Sequence, residues 1–256
     1  MTSRGDGGAR EAVERMLRPI PPGVVTIRDA GATQKLSPTS ARQPFFARDV
    51  VQRRREPRVV DVDGFLLAAV PVTCTLWALG RGESPPAPTT ADHPVTMVSW
   101  LDAISFCNAL SLQAGLVPAY DLDGTDGADD GGREGARVVR APLASGYRLP
   151  TEAEWQHACG PRPGDLDAAA WYVDNAGDVV HPVGQKAPNT HGVYDMLGNV
   201  WEWCEDLFDV SIYGSYRVFR GGGFADPEST LRPEVRRKSH PTYRIDDVGF
   251  RIARRG

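Results

Sequence analysis

The sequence lacks a long apolar run and an apolar leader. Its longest apolar stretch, residues 65–79, is shorter than the roughly 20 residues that a membrane span needs and is interrupted by Pro71, Thr73 and Thr75. This stretch predicts a buried strand running into a helix, and no membrane partner. The first 23 residues carry charge without an apolar segment, so no secretory signal is visible and we expect a cytoplasmic location.

An excess of positive charge is also missing. There are 29 Lys and Arg residues against 33 Asp and Glu residues, which gives a net charge of −4. Phosphate neutralisation needs clustered cations, so no nucleic-acid partner is expected. The basic run at residues 52–56 and the acidic, glycine-rich run at 121–135 are interpreted as solvated loops. The alternatives are a partner-binding patch for the first and a calcium loop for the second.

Metal-ligand patterns are scarce. Cysteine occurs only four times, at widely separated positions without a CxxC motif: Cys74, Cys107, Cys159 and Cys204. Such spacing does not fit a zinc site and predicts buried thiols. The five histidines form neither an HxD nor an HxxxH pattern, so an iron site of two histidines and a carboxylate is not expected.

Turn-forming residues are abundant, with 27 glycines and 21 prolines, which predicts a loop-rich fold. Helix starts are nevertheless clear. Thr73 is a predicted N-cap, and Ser99 with Asp102 and Thr151 with Glu154 have the spacing of capping boxes. Strands are predicted within residues 59–70, 217–224 and 248–254, which gives an α+β fold. Residues 1–20 are interpreted as an N-terminal extension and 21–256 as a single domain.

Four regions together resemble one family: residues 93–111, 146–158 with RLPTEAEW, 192–208 with LGNVWEW, and the pair 219–224 and 248–254. They resemble the formylglycine-generating-enzyme-like family, which includes ergothioneine sulfoxide synthases and the pyoverdine-maturation oxidase type. The resemblance implies a variant C-type-lectin-like fold with little regular structure. It further implies buried tryptophans and buried arginine–carboxylate pairs, at Trp100, Trp155, Trp201, Trp203, Arg148, Arg220 and Arg251.

The sequence departs from the family at the catalytic thiols. Formylglycine generators bind Cu(I) with two cysteines after an RGGS-like strand, because soft thiolates select a soft cation. Here the matching positions are Asp226 and Leu231. Copper is therefore not expected at the family site, and formylglycine generation is predicted to be absent. The three-histidine iron domain of the ergothioneine enzymes has no counterpart in the first 55 residues, which contain no histidine.

The polar segment 226–247 walls the substrate cleft in the family. The resemblance places Trp201, Gly223 and Asp247 near that cleft, with Asp226 in place of a reactive thiol. We assign Asp226 and Asp247 as candidate acid/base residues. The candidate substrate-binding residues are Trp201, Gly223, Arg232, Arg236 and His240. Arginine forks suit carboxylates, but the alternative, an internal salt-bridge network that braces the loop, stays open.

A structural calcium site is the other implication of the resemblance. Its ligands would be the side chains of Asp195 and Glu202 and the carbonyls of Gly198 and Val200, since hard oxygen donors suit Ca²⁺. The alternative is that Asp195 and Glu202 only cap and brace their loop.

Two functions follow. The first is a non-thiol tailoring oxidoreductase acting on a small amino-acid-like or peptide substrate. The second is a non-catalytic lectin-like module that binds a peptide, a protein or a small ligand. Metal analysis of the purified protein discriminates between them, since stoichiometric iron or copper favours the oxidoreductase.

Overall fold

The fold is seen in a computed structural model, which describes residues 6–28, 56–84, 86–122, 139–141 and 144–256. The basic run up to residue 55 and most of the acidic run lie outside the described residues. The α-helices are α1 (Asp6–Met16), α2 (Cys74–Arg81), α3 (Trp100–Gln113), α4 (Glu152–Cys159), α5 (Leu166–Ala169) and α6 (Val210–Tyr213). A short 3₁₀ helix spans Glu228–Thr230.

The longer helices begin where their caps predict. The Thr73 side chain accepts the Leu76 N–H at the start of α2. Both bonds of the capping box are present at Ser99 and at Thr151, which start α3 and α4. Each cap satisfies backbone donors that the first turn of a helix leaves unpaired. The predicted helix starts are confirmed.

Short strands form small sheets. They are β1 (Leu17–Ile20), β2 (Gly23–Ile27), β3 (Arg58–Val62), β4 (Phe65–Ala68), β5 (Tyr120–Asp121), β6 (Val139–Arg140), β7 (Trp201–Leu207), β8 (Arg217–Arg220), β9 (Arg236–Ser239), β10 (Val248–Gly249) and β11 (Ala253–Arg255). The sheet orders are β1-β4-β11 and β10-β7-β8-β9, with the ribbons β2-β3 and β5-β6. Strand β1 pairs with β4 in register from Leu17↔Ala68 to Ile20↔Phe65, so residues before 21 contribute to the first sheet.

The predicted burial of the tryptophans is confirmed. Trp100 is 1% exposed, and Trp155, Trp201 and Trp203 are 0% exposed. Each indole N–H has an acceptor: the Cys204 and Val98 carbonyls for Trp100 and Trp203, and carboxylates for the other two. These side chains therefore bury large aromatic surfaces while their polar N–H groups stay hydrogen-bonded.

The predicted arginine–carboxylate pairs are present beneath this aromatic core. Arg148 pairs with Glu154 at 2.6 Å, Arg220 with Glu152 at 2.5 Å, and Arg251 with Glu202 at 2.6 Å. The four cysteines are free thiols, and only Cys74 is partly exposed. Burial raises the pKa of the Cys159 thiol to about 12, which keeps it protonated and unreactive at neutral pH. Within the described ranges, no helix has the length and apolar character needed to cross a bilayer.

Candidate functional site

The cleft residues predicted from the sequence meet at one end of the second sheet. Strand β7 starts at Trp201, and β10 runs parallel to it with Val248 opposite Trp201. The backbone N–H of Trp201 donates to the carbonyl of Asp247 at 2.8 Å. On the other side, β8 ends at Arg220 and leads through glycines to Asp226. The topology therefore brings Trp201, Gly223, Asp226 and Asp247 together.

Asp226 is the hub of this cluster. Its Oδ2 accepts the indole N–H of Trp201 at 2.6 Å and the backbone N–H of Gly223 at 2.9 Å. Its Oδ1 accepts from the guanidinium of Arg237 at 2.8 Å. The Arg237 guanidinium also lies over the Trp201 ring, 4.4 Å from its centroid. Three donors from the chain thus bond this buried carboxylate.

Gly223 fits this cluster because it lacks a side chain. A Cβ built there would lie 3.2 Å from Cδ1 of Trp201 and 3.3 Å from Oδ2 of Asp247. The backbone therefore approaches the indole and the carboxyl closely enough for its N–H to reach Asp226.

Asp247 has a different electrostatic environment. Its side chain is buried, and burial together with the nearby charge of Asp226 raises its pKa to about 7, against the opposing effect of Arg237. A carboxyl with this pKa can accept or release a proton near neutral pH, as a general acid or base must.

Arg236, a predicted substrate-binding residue, lies against other groups than the Asp226 cluster. Its Nε pairs with Glu152 at 2.7 Å, and its guanidinium lies 4.2 Å from the centroid of the Phe208 ring. Arg237 is the arginine that reaches the cluster. Successive side chains of β9 point to opposite faces of the sheet, so the two arginines serve different sites. Arg237 was not among the predicted site residues, because the charged segment that contains it resembles a loop in sequence.

Two other predicted residues lie apart from the cluster. Arg232 is exposed. His240 follows β9, three residues beyond Arg237, which is about 10 Å along an extended chain. Its Nδ1 is 2.8 Å from Oγ1 of Thr242, and its ring contacts those of Tyr216 and Tyr243. Neither residue has a contact with Asp226 in the described part of the chain.

Leu231, which the family resemblance places at about the second thiol position, belongs to the core. It is 0% exposed and packs within the cluster that includes Trp155, Leu197 and Val218. Neither a hydrogen-bonded aspartate nor a buried aliphatic side chain offers a thiolate, so this pair does not fit Cu(I).

The predicted calcium segment is built around an arginine. Both carboxylate oxygens of Glu202 accept from Arg251, at 2.6 and 2.7 Å, and Oε2 also accepts the indole N–H of Trp155. Arg251 further donates to the carbonyls of Ala68, Tyr194 and Asp195. Both oxygens of Glu202 therefore have donors from the chain already, which fits the alternative that Glu202 braces its loop.

Asp195, the other predicted side-chain ligand, has one carboxylate oxygen without a hydrogen bond. Its Oδ2 accepts the Gly184 N–H at 2.7 Å, while its Oδ1 is buried without a hydrogen bond. Burial raises the pKa of Asp195. One carboxylate oxygen with nearby carbonyls is a poor donor set for Ca²⁺, which takes six to eight oxygens, usually with several carboxylates. No group of three or more His, Cys, Asp or Glu side chains in the described ranges is arranged to hold a metal ion.

This arrangement predicts that calcium does not stabilise the protein. The melting temperature of the chelator-treated protein should stay within about 1 °C when millimolar calcium is added, because a ligand stabilises only the state that binds it. Differential scanning fluorimetry with calcium, and with magnesium as the control, measures this. A rise of several degrees with calcium alone would contradict it.

Comparison by sequence relates the chain to enzymes and to a chaperone. The family described as "Sulfatase-modifying factor enzyme 1-like domain" matches residues 13–256. "Chaperone protein LppX" of Paenibacillus barcinonensis is 30% identical over 228 residues, covering 76% of this chain and 81% of that protein. The "Formylglycine-generating enzyme" of Streptomyces coelicolor is 32% identical over 147 residues, covering 43% of this chain and 47% of the enzyme.

A "Hercynine oxygenase" of Mycolicibacterium thermoresistibile is 32% identical over 142 residues, covering 43% of this chain and 32% of that protein. The matches to these two enzymes thus span less than half of either relative.

Solved structures share the fold over nearly the whole chain. "Treponema denticola variable protein 1" superposes with a TM-score of 0.71 at 28% identity, covering 94% of this chain and 95% of that one. CarF gives 0.64 at 27% identity, with coverages of 93% and 99%. PvdO from Pseudomonas aeruginosa gives 0.63 at 20% identity, with 94% of each chain covered. The predicted α+β, C-type-lectin-like fold is confirmed.

Proposed function

Since the chain belongs to the sulfatase-modifying factor enzyme 1-like family, whose members include oxidases and formylglycine generators, we propose that it is a non-catalytic member that binds a protein or a peptide. The proposal rests on the two residues at the positions that match the family's catalytic thiols, Asp226 and Leu231. Asp226 is held by three hydrogen bonds, and Leu231 is buried in the core.

The closed state of the cluster supports the same proposal. All four residues of the cluster are buried: Trp201, Gly223, Asp226 and Asp247. Both carboxylate oxygens of Asp226 accept hydrogen bonds from neighbours within the chain. A catalytic carboxylate must reach its substrate within hydrogen-bond distance. In this arrangement Asp226 maintains the architecture of the loop instead.

The similarity to LppX also favours a binding role, because that match covers most of both chains. Its name describes a protein that acts on other proteins. A lectin-like frame with long loops offers a broad surface for such a partner.

The first experiment tests the absence of oxidase chemistry. The protein is incubated with Cu(I), oxygen and a CxPxR peptide, and we expect neither an aldehyde product by mass spectrometry nor oxygen consumption. An authentic formylglycine-generating enzyme is the positive control. Turnover, or stoichiometric iron or copper in the purified protein, would overturn the proposal.

The second experiment tests binding directly. A chemically denatured client enzyme is diluted into buffer, and its aggregation is followed by light scattering. An equimolar amount of this protein should suppress the scattering, whereas the same mass of an unrelated folded protein should not. Equal scattering in the two samples would contradict a chaperone-type function.

A second candidate function is the tailoring oxidoreductase acting on a small amino-acid-like or peptide substrate. Asp247 favours it, because a carboxyl with a pKa of about 7 beside Arg237 could exchange a proton with a substrate anchored by the guanidinium. The enzymes among the relatives are consistent with it. A redox metal in the purified protein, with an activity lost in Asp247→Asn, would favour this candidate over the first.

A further inference from the structure

A second site lies at the opposite end of strand β7. A cavity of about 190 Å³ is lined there mainly by Trp100, Tyr120, Glu205, Asp206, Leu207 and Arg217. Glu205 is four residues from Trp201 along the strand, about 13 Å away. The cavity is therefore distinct from the Asp226 cluster and independent of the proposed function.

Arg217 gives the cavity a cation whose Nε–H has no acceptor within the described part of the chain. Its guanidinium lies 3.8 Å from the centroid of a Trp100 ring, and its Nη1 donates to the carbonyl of Glu205 at 2.7 Å. Its Nε is buried without a hydrogen bond. Burial lowers the pKa of Arg217 to about 10, so it remains charged at neutral pH. No carboxylate of the described residues forms an ion pair with it.

A guanidinium in this condition favours an anionic ligand. A buried donor without an acceptor is unfavourable, and a carboxylate can accept two parallel N–H bonds from an arginine. A ligand carboxylate would therefore accept a hydrogen bond from a donor of Arg217 that is unsatisfied in the protein without ligand.

Two carboxylates give the same cavity the opposite charge. Asp206 accepts the backbone N–H of Glu152 through Oδ2 at 2.6 Å, and its Oδ1 has no hydrogen bond within the described part of the chain. Glu205 accepts the Tyr120 hydroxyl at 3.3 Å through Oε2. The Oδ1 atom of Asp206 can accept an N–H group of an ammonium.

We propose that this cavity binds a free α-amino acid, with its carboxylate on Arg217 and its ammonium on Asp206. Trp100 and Leu207 provide apolar walls for a short side chain. The cavity volume of about 190 Å³ suits such a ligand. For comparison, an engineered cavity of about 150 Å³ in another protein accommodates benzene. A ligand of roughly six to nine non-hydrogen atoms, from alanine to aspartate, therefore fits.

Isothermal titration calorimetry with alanine, serine, threonine, valine and aspartate tests the proposal, together with their N-acetyl and amide derivatives. At least one free amino acid should bind. Each derivative loses one of the two charges and should bind at least about tenfold more weakly, which is the loss of about 1.4 kcal/mol. Heat from none of the amino acids, or equal binding of the derivatives, would overturn the proposal.

Variants assign the contacts. Arg217→Met keeps an unbranched side chain on Trp100 and should abolish binding. Arg81→Met is the matched control, because Arg81 lies over another tryptophan, Trp77, and neither residue lines this cavity. If Arg217→Met does not fold by circular dichroism, Asp206→Asn carries the test and should weaken binding about tenfold. Unchanged affinity in a folded Arg217→Met or in Asp206→Asn would refute the site.

Discussion

Replacing Glu202 with glutamine should lower the free energy of unfolding by about 3–5 kcal/mol, the usual effect of breaking a buried ion pair. Glu202 and Arg251 are both 0% exposed, and the two side chains share two hydrogen bonds. Glutamine preserves the shape but leaves the guanidinium without a counter-charge in a medium that solvates it poorly. Urea denaturation followed by tryptophan fluorescence and by circular dichroism measures the loss.

The matched control is Glu83→Gln. Glu83 pairs with Arg81 on the surface, where both side chains are about half exposed, and such pairs contribute about 0–1 kcal/mol. A loss below about 1 kcal/mol for Glu202→Gln would mean that the charge of Arg251 is compensated by its carbonyl partners alone.

Replacing Asp247 with asparagine should stabilise the protein above neutral pH. The pKa of Asp247 is raised from 3.8 to about 7, chiefly by burial, so the folded state disfavours the ionised form. The stability linked to this group is complete below about pH 4 and is lost as the pH rises through 7. The corresponding penalty at pH 8 is on the order of 4 kcal/mol, and asparagine does not incur it.

The measurement is the difference in unfolding free energy between Asp247→Asn and the wild type at pH 5 and pH 8. This difference should increase with pH in favour of the variant. The exposed neighbour Asp246 provides the control, since Asp246→Asn changes the charge of the same turn without changing a buried group. A difference for Asp247→Asn that does not depend on pH would contradict the raised pKa.

The parts of the fold that depend on local chemistry could be predicted from the sequence. Ser99 and Thr151 have the side chains that helix starts require, and both cap their helices as expected. The burial of the tryptophans and the arginine pairs followed from the family resemblance. Pairings between distant segments, such as β1 with β4, could not be read from local patterns because they depend on tertiary packing.

The site was only partly predictable. The resemblance indicated that Trp201, Gly223, Asp226 and Asp247 lie near one another, and the topology of β7, β8 and β10 brings them together. It could not separate Arg236 from Arg237, because adjacent residues of equal charge differ only in the face of the strand that carries them. Strand β9 pairs with β8 across four residues, and this alternation was hidden in a segment rich in charge.

The assignment of Glu202 had the same limitation. Its carboxylate fits either a cation from solution or an arginine from the chain, and the sequence analysis left both open. Arg251 lies far from Glu202 in sequence, and the contact between them follows from the parallel pairing of β10 with β7. Only the folded arrangement distinguishes the two partners.

The arrangement around Arg251 also concerns how the stability of the protein depends on dissolved metal ions. A loop that needs a bound metal ion to balance its carboxylates becomes less stable when the concentration of that ion falls. Here the positive charge is covalently part of the polypeptide, so it cannot be chelated or diluted away. We therefore expect this loop to keep its shape wherever the chain is folded, whatever the mineral content of its surroundings.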